Sequence, residues 1–339
     1  MKRFPIFFVL LASLSLPLFA GGSQDASKPE AAGGGEWSPA RPIDIVVPYA
    51  PGGSSDLLGR AIEKAWTKYC PQPARIVTKP GGAGVTGSVF VSNSAPDGYT
   101  LCLAFGSGPD MTMQYLQKMD YDPFKALDPL VLVSIHSLII AAPVESEFKT
   151  LTDLVTWSKK NKEPITVAIS TAKGMVDLML QTFATRTGTD LIIIPHEGSA
   201  QAVTALISGQ TMIGCAHPSD LLPQIKAGRL RLLAVASEQR DPAFPDLPTL
   251  KEQGFDYSCW GALKAVAVPK NMPDNIKRYY EQLFQQICGD PVFINDMKEL
   301  AQPILYEDIE TFTRTFRQAN SDYKKIIEDL GLAYYQQKS

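Results

Sequence analysis

From Ile43 the apolar positions fall into two alternating spacings. "IDIVVPY" (residues 43–49) is a short β-branched run that predicts a strand. "LLGRAIEKAWTKY" (57–69) instead sets Leu57, Leu58, Ala61, Ile62, Ala65, Trp66 and Tyr69 on one face at helical spacing, so this segment should pack against a sheet. "ARIVTK" (74–79) and "TLCLAF" (100–105) read as further strands, and "VLVSIHSLIIAAP" (131–143) as a longer strand pair or bend. The rhythm then repeats. "ITVAIS" (165–170) precedes the helical "MVDLMLQTFATRT", "DLIIIPH" (190–196) precedes "SAQAVTALISG", "TMIGCA" (211–216) precedes "DLLPQIKAG", and "RLLAVAS" (231–237) follows. From Asp274 the pattern is mostly helical. Strand–helix alternation of this kind predicts an α/β fold with largely parallel sheets. Two extended segments, 139–143 and 260–269, lie between the halves. They suggest two crossings between lobes, with residues 43–140 plus 261–339 forming the first lobe and 141–260 the second.

The chain has 339 residues, more than one core normally fills, which also argues for two domains. Its formal net charge of -3, with no basic block, argues against a nucleic-acid partner. Residues 1–20 change the picture most. Lys2 and Arg3 precede an apolar run that ends in small residues, the pattern of a signal peptide cleaved after Ala20. An uncleaved anchor is the competing reading. No other segment is long and apolar enough to span a bilayer, so the mature protein is expected to be exported and soluble. Residues 21–42 are rich in Gly, Ala, Ser and Pro and read as a flexible tether. Cys70, Cys102, Cys215, Cys259 and Cys288 show no CxxC spacing. They support neither a zinc site nor a disulfide framework, although an exported chain could form one or two bridges.

In open α/β sheets ligands sit beyond the carboxyl ends of strands, where helix N-termini converge. Four small-residue loops occupy that position: 49–56 ("YAPGGSSD"), 105–110 ("FGSGPD", which offers Phe105 and Ser107), 170–175 ("STAKGM") and 195–200 ("PHEGSA"). A fifth, weaker candidate is 216–220 ("AHPSD"). In the first loop Gly52 and Gly53 allow close backbone approach, and Ser54 and Ser55 add hydroxyls ahead of a helix whose free N–H groups point outward. These loops are nearly free of basic side chains, Lys173 being the exception. Such neutral donors suit a carboxylate better than a phosphate. Asp56 would repel an anion and fits better as a charge at the helix start.

Sharper motifs fail. "GAGVTG" (82–87) matches G-x-G-x-x-G, but Pro80 precedes it and its helix is cut short by Pro96-Asp97-Gly98. "PGGSSD" lacks the GK[ST] of a P-loop, and "HEGSA" lacks the second histidine of a zincin. His136 sits in an apolar run and reads as structural. His196 and His217 fall in cleft loops, where either could donate a hydrogen bond to a carboxylate. A triad of His217 with Ser219 is the catalytic alternative, unsupported by any GxSxG elbow.

The residues also resemble a known family. "VPYAPGGSSDLLGRAI", "TKPGGAGVTGSVFVSNSAPDGYTLCLA", "PHEGSAQAVTALISGQTMIG", "PQIKAGRLRLLAVAS" and "FPDLPTLKEQGFDYSCWGAL" are similar to segments of the Bug/TctC extracytoplasmic solute receptors, the binding components of tripartite tricarboxylate transporters. The resemblance spans roughly residues 43–332. It implies a type II periplasmic-binding-protein fold, two α/β lobes around a hinge and cleft, with no cofactor and no catalysis. It implies a monomer that binds a small organic carboxylate, such as a di- or tricarboxylate or an acidic amino acid, and passes it to the membrane permease subunits. A receptor serving a sensor protein is the other possibility. Carried over by position, the resemblance points to Tyr49, Pro51, Gly52, Gly53, Ser54, Ser55 and Asp56 from one lobe. From the other it points to Ser170, Thr171 and Ala172, with Gly198, Ser199 and Ala200. Where the family often has Tyr-Lys-Gly, this chain has Pro195, His196, Glu197 and Gly198, which adds a titratable group.

Overall fold

The structure is a computed structural model that describes residues 37–336. The expected signal peptide and residues 21–36 of the expected tether lie outside the described residues. The last residues of that tether are packed, however. Trp37 sits among Tyr99, Tyr279 and Tyr280, at ring-centroid distances of 5.9, 5.1 and 5.5 Å. Packing therefore begins before Ile43.

Two sheets organise the chain. The first half of the first sheet comes from β1 (Ile43–Val47), α1 (Ser54–Trp66), β2 (Ala74–Thr78), α2 (Val85–Ser92) and β3 (Thr100–Phe105). Two short turns, α3 (Gln114–Leu116) and α4 (Pro123–Ala126), then lead to β4 (Leu127–His136). The second sheet takes β5 (Ile139–Pro143), α5 (Leu151–Asn161), β6 (Ile165–Ile169), α6 (Met175–Thr187) and β7 (Leu191–Pro195). It is completed by α7 (Ser199–Ile207), β8 (Ile213–Ala216), α8 (Pro218–Lys226) and β9 (Leu230–Val235). The chain then returns through β10 (Ala262–Pro269), α9 (Asp274–Cys288), α10 (Pro291–Glu299), β11 (Ile304–Glu307) and α11 (Ile309–Asp329). Strand orders are β11-β4-β10-β3-β1-β2 and β7-β6-β8-β5-β9.

The sheets are more mixed than the alternation predicts. β1 is parallel to β2 and β3, and β6 to β7 and β8, but β5 and β10 are antiparallel to both of their neighbours. The reason is the crossing itself. The strands before each loop of interest end on the cleft side, whereas β5 and β10 begin at the crossings and must run away from it. The bend predicted within residues 131–143 is this change of sheet, between His136 and Ile139.

Burial follows the helical pattern read from α1. Leu58, Ala61, Ile62, Ala65 and Trp66 are all buried there, against β1, β3 and the aromatic rings of α9. Fully burying Ile62 and Trp66 contributes about 2–3 kcal/mol each. All five cysteines are buried and unpaired. Among the described residues no helix is long and apolar enough to cross a membrane.

Candidate functional site

The loops that leave β1, β3, β6, β7 and β8 meet around a cavity of about 750 Å³ between the two sheets. The first sheet supplies Tyr49, Pro51, Gly53, Ser54 and Ser55 after β1, and Ser107 after β3. The second supplies Ser170, Thr171 and Ala172 after β6, then His196, Gly198, Ser199 and Ala200 after β7, and His217 after β8. Three expected contact residues are placed elsewhere. Phe105 is buried in the core against Phe316, with ring centroids 4.6 Å apart. Asp56 is buried outside the cavity wall. Its Oδ2 accepts from the Gly52 N–H at 2.9 Å and from Arg60 Nε at 3.0 Å, which also occupies Gly52.

That Asp56 contact is one copy of a recurring device. In α6, Asp177 accepts from the backbone N–H of Lys173 at 2.6 Å, and in α7 the Gln201 amide oxygen accepts from that of Glu197 at 3.2 Å. In each case a residue in the first turn reaches back past a glycine N-cap to the N–H before it. This is similar to half of a capping box, displaced by one residue because the bonded N–H precedes the N-cap. The missing half is the N-cap side chain, which would accept from the first-turn N–H groups.

The pattern of caps differs between the cleft and the rest of the molecule, with α9, which begins after Pro273, the uncapped helix outside the cleft. The N-caps of α1, α2, α6, α7 and α8 are Gly53, Gly84, Gly174, Gly198 and His217. None makes a side-chain cap hydrogen bond, and all five line the cavity. Helices α4, α5, α10 and α11 begin instead with Asp122, Thr150, Asp290 and Asp308, each of which accepts from its own first turn. Uncapped N-termini with their positive dipole ends converging on one cavity are chemically suited to an anion.

The two sheets also touch through polar groups beside the cavity. Asp220 of α8 accepts from the Ser54 N–H of α1 at 3.1 Å. Gln302 donates to the Ser54 carbonyl at 3.0 Å and to Ser219 Oγ at 3.1 Å. Thr112 Oγ1 donates to the Lys173 carbonyl at 2.9 Å. Burial raises the Asp220 carboxyl above its usual range, while the Ser199 hydroxyl and Lys264 oppose that rise.

Titration states bear on chemistry. His217 Nδ1 lies 3.1 Å from the Ser137 carbonyl, and burial, followed by the charge of Lys264, pushes its pKa down to about 3. His217 is thus neutral at physiological pH, with its one N–H spent on the Ser137 carbonyl, so Nε2 is an acceptor and not the donor to a carboxylate that its loop position suggested. Ser219 is bonded to Gln302 and not to His217, so the triad geometry is not formed. His136 is buried below, its ring 5.6 Å from that of His217, and neither of its ring nitrogens has a hydrogen-bond partner.

Sequence reasoning missed Lys264. It is 3 % exposed, lines the cavity and donates to Ser55 Oγ at 2.9 Å. The available signal was a single charge inside the apolar run "GALKAVAVP". The glycine stretch before α2, set aside as a nucleotide motif, also reaches the cavity through Gly81, Gly82 and Gly84.

The chain is similar to several known proteins. BugT of Bordetella pertussis is 32% identical over 241 residues, covering 70% of this chain and 73% of that protein. A Cupriavidus necator UPF0065 protein is 28% identical over 295 residues, covering 87% and 89%. Among solved structures, the periplasmic binding protein BugD superposes with a TM-score of 0.78 at 25% identity, covering 87% of this chain and 99% of that one. An R. palustris protein solved with adipate has the same fold, with a TM-score of 0.82 at 22% identity, over 87% and 99%. The family model described as "Tripartite tricarboxylate transporter family receptor" matches residues 58–332, and the chain therefore belongs to this Bug/TctC family of periplasmic solute-binding proteins.

Proposed function

We propose that the chain is an exported receptor that captures a small organic carboxylate in the cavity between its sheets and delivers it to the membrane subunits of a tripartite transporter. One observation carries the reading. All five α-helices that start at the cavity lack a side-chain cap, while of the α-helices of four or more residues that start elsewhere only α9, at Pro273, does, so a ligand carboxylate supplies the acceptors that Asp122, Thr150, Asp290 and Asp308 supply elsewhere. The family points the same way, as do the adipate and malate held by two structures of the same fold.

Gly53→Asp tests the site. Gly53 has an ordinary negative φ of -82°, and a Cβ there would meet nothing closer than 3.6 Å, so the fold should tolerate the change. The new carboxylate would occupy the anion position and repel the ligand. In thermal-shift and calorimetric titrations with mono-, di- and tricarboxylates, the wild type should bind at least one acid, with a loss of about 100-fold or more in Gly53→Asp. Equal affinity in a folded variant overturns the site.

A further inference from the structure

Among the described residues, Lys264 lies in the longest strand that is buried at every position. All eight residues of β10 are buried, and Lys264 is its one charged side chain. A lone ammonium in such a strand is costly unless something pairs with it. Among the described residues its single hydrogen bond goes to the neutral Ser55 hydroxyl, at 2.9 Å, and it forms no ion pair. Two of its three N–H donors are therefore unused at the wall of the cavity. Next to Lys264 the ladder is irregular: β10 pairs Lys264 with Ser134 and Ala265 with Leu132, so Val133 of β4 is the extra residue there.

The cavity thus has two poles suited to negative charge. One is built from the uncapped starts of α6 and α7, which offer backbone donors and no buried cation. The other is Lys264 beside the first turn of α1, where the Ser54 N–H is already taken by Asp220. We propose that Lys264 is the counter-ion for a second acidic group of the ligand, so that the receptor selects dicarboxylates over monocarboxylates of the same length. The inference rests on the receptor reading above.

A structural role is the competing explanation: Lys264 would be compensated by Asp220 across the gap between the sheets, since the two charges act on each other. The groups that face Lys264 are Asp220 on α8, His217 at the start of α8, His136 on β4, and Tyr49 with Ser55 at α1. The histidines are held neutral by burial, which leaves Asp220 as the one opposing charge.

The test is titration of wild type and Lys264→Met with matched acids: adipate against hexanoate, and succinate against butyrate. The wild type should prefer the diacid of its better pair by about 30-fold or more, and Lys264→Met should shrink that preference to about 3-fold or less. Its unliganded melting temperature should match or exceed that of the wild type, since a buried charge has gone. A structural lysine would give the opposite pattern, a lower melting temperature with affinity for mono- and diacids falling together, and that result overturns the proposal. Unchanged preference in Lys264→Met also overturns it. If the wild type binds no acid of this set or of the wider carboxylate panel, the receptor reading itself has failed, and the role of Lys264 falls with it.

Discussion

Burial disfavours the charged forms of Lys264 and of the two buried histidines, and each bears on stability. Burial lowers the Lys264 pKa from 10.5 to about 8, with Asp220 resisting. Below pH 8 the folded protein carries the full cost of the buried charge, and between pH 8 and 10.5 the fold releases that proton while the unfolded chain keeps it. Stability from this group therefore rises with pH across that window. At pH 7 the cost is roughly 3 kcal/mol, so unliganded Lys264→Met should gain a sizeable part of that in urea denaturation, and a clear loss would contradict it. His217 works at the acid end. Its folded pKa of about 3 lies below the ordinary 6.5, and His136 is lowered as well, in both cases first by burial. As pH falls below 6.5 the unfolded chain takes up protons that the fold refuses. Stability should drop by up to about 1.4 kcal/mol per pH unit for each histidine. His136→Phe should flatten that slope between pH 6.5 and 5; an unaltered slope would mean that the ring charges freely in the fold.

At the scale of elements, the working unit is a strand, a glycine N-cap and a first-turn acceptor that reaches back. Asp177 shows what the acceptor does. It holds the Lys173 N–H and is itself bonded by Gln181 at 2.7 Å, fixing the loop that runs from Ser170 to Gly174. Asp177→Ala should cost about 1–2 kcal/mol of stability and weaken ligand binding as the loop loosens. Unchanged binding and stability would show that the loop holds itself. Much of this level was legible in the sequence. Small-residue loops after strands marked the cavity wall, because backbone approach requires Gly and Ser wherever it occurs. The misplaced residues were those whose role depends on direction. Asp56 and Phe105 sit in the right loops, but one turns back to its own backbone and the other faces the core. Periodicity could not reveal the reversed sense of β5 and β10, because an apolar run reads the same in either direction. Lys264 escaped for a related reason. Four buried hydrophobic neighbours hide one charge in a strand pattern, and only the other wall of the cavity explains its presence.

For the whole molecule, the cavity exists because two sheets, joined by strands β5 and β10, are also linked through side chains. Asp220 on α8 bonds the first turn of α1, and Gln302 of the chain's returning third bonds Ser54 and Ser219 together. These contacts bridge the same gap that a ligand would span. Asp220→Ala should therefore give a measurably larger radius of gyration in solution scattering without ligand, and a saturating diacid should reverse the change. Identical scattering curves would show that other contacts hold the gap. The uncapped N-termini have a final consequence for how such a receptor can diversify. A grip made of main-chain donors cannot be lost one side chain at a time, because nearly every residue brings the same N–H. Substitutions at Lys264 or His196 would then retune which acid is preferred while the common hold on a carboxylate persists. Broad chemical drift in ligands at constant architecture is what this arrangement permits.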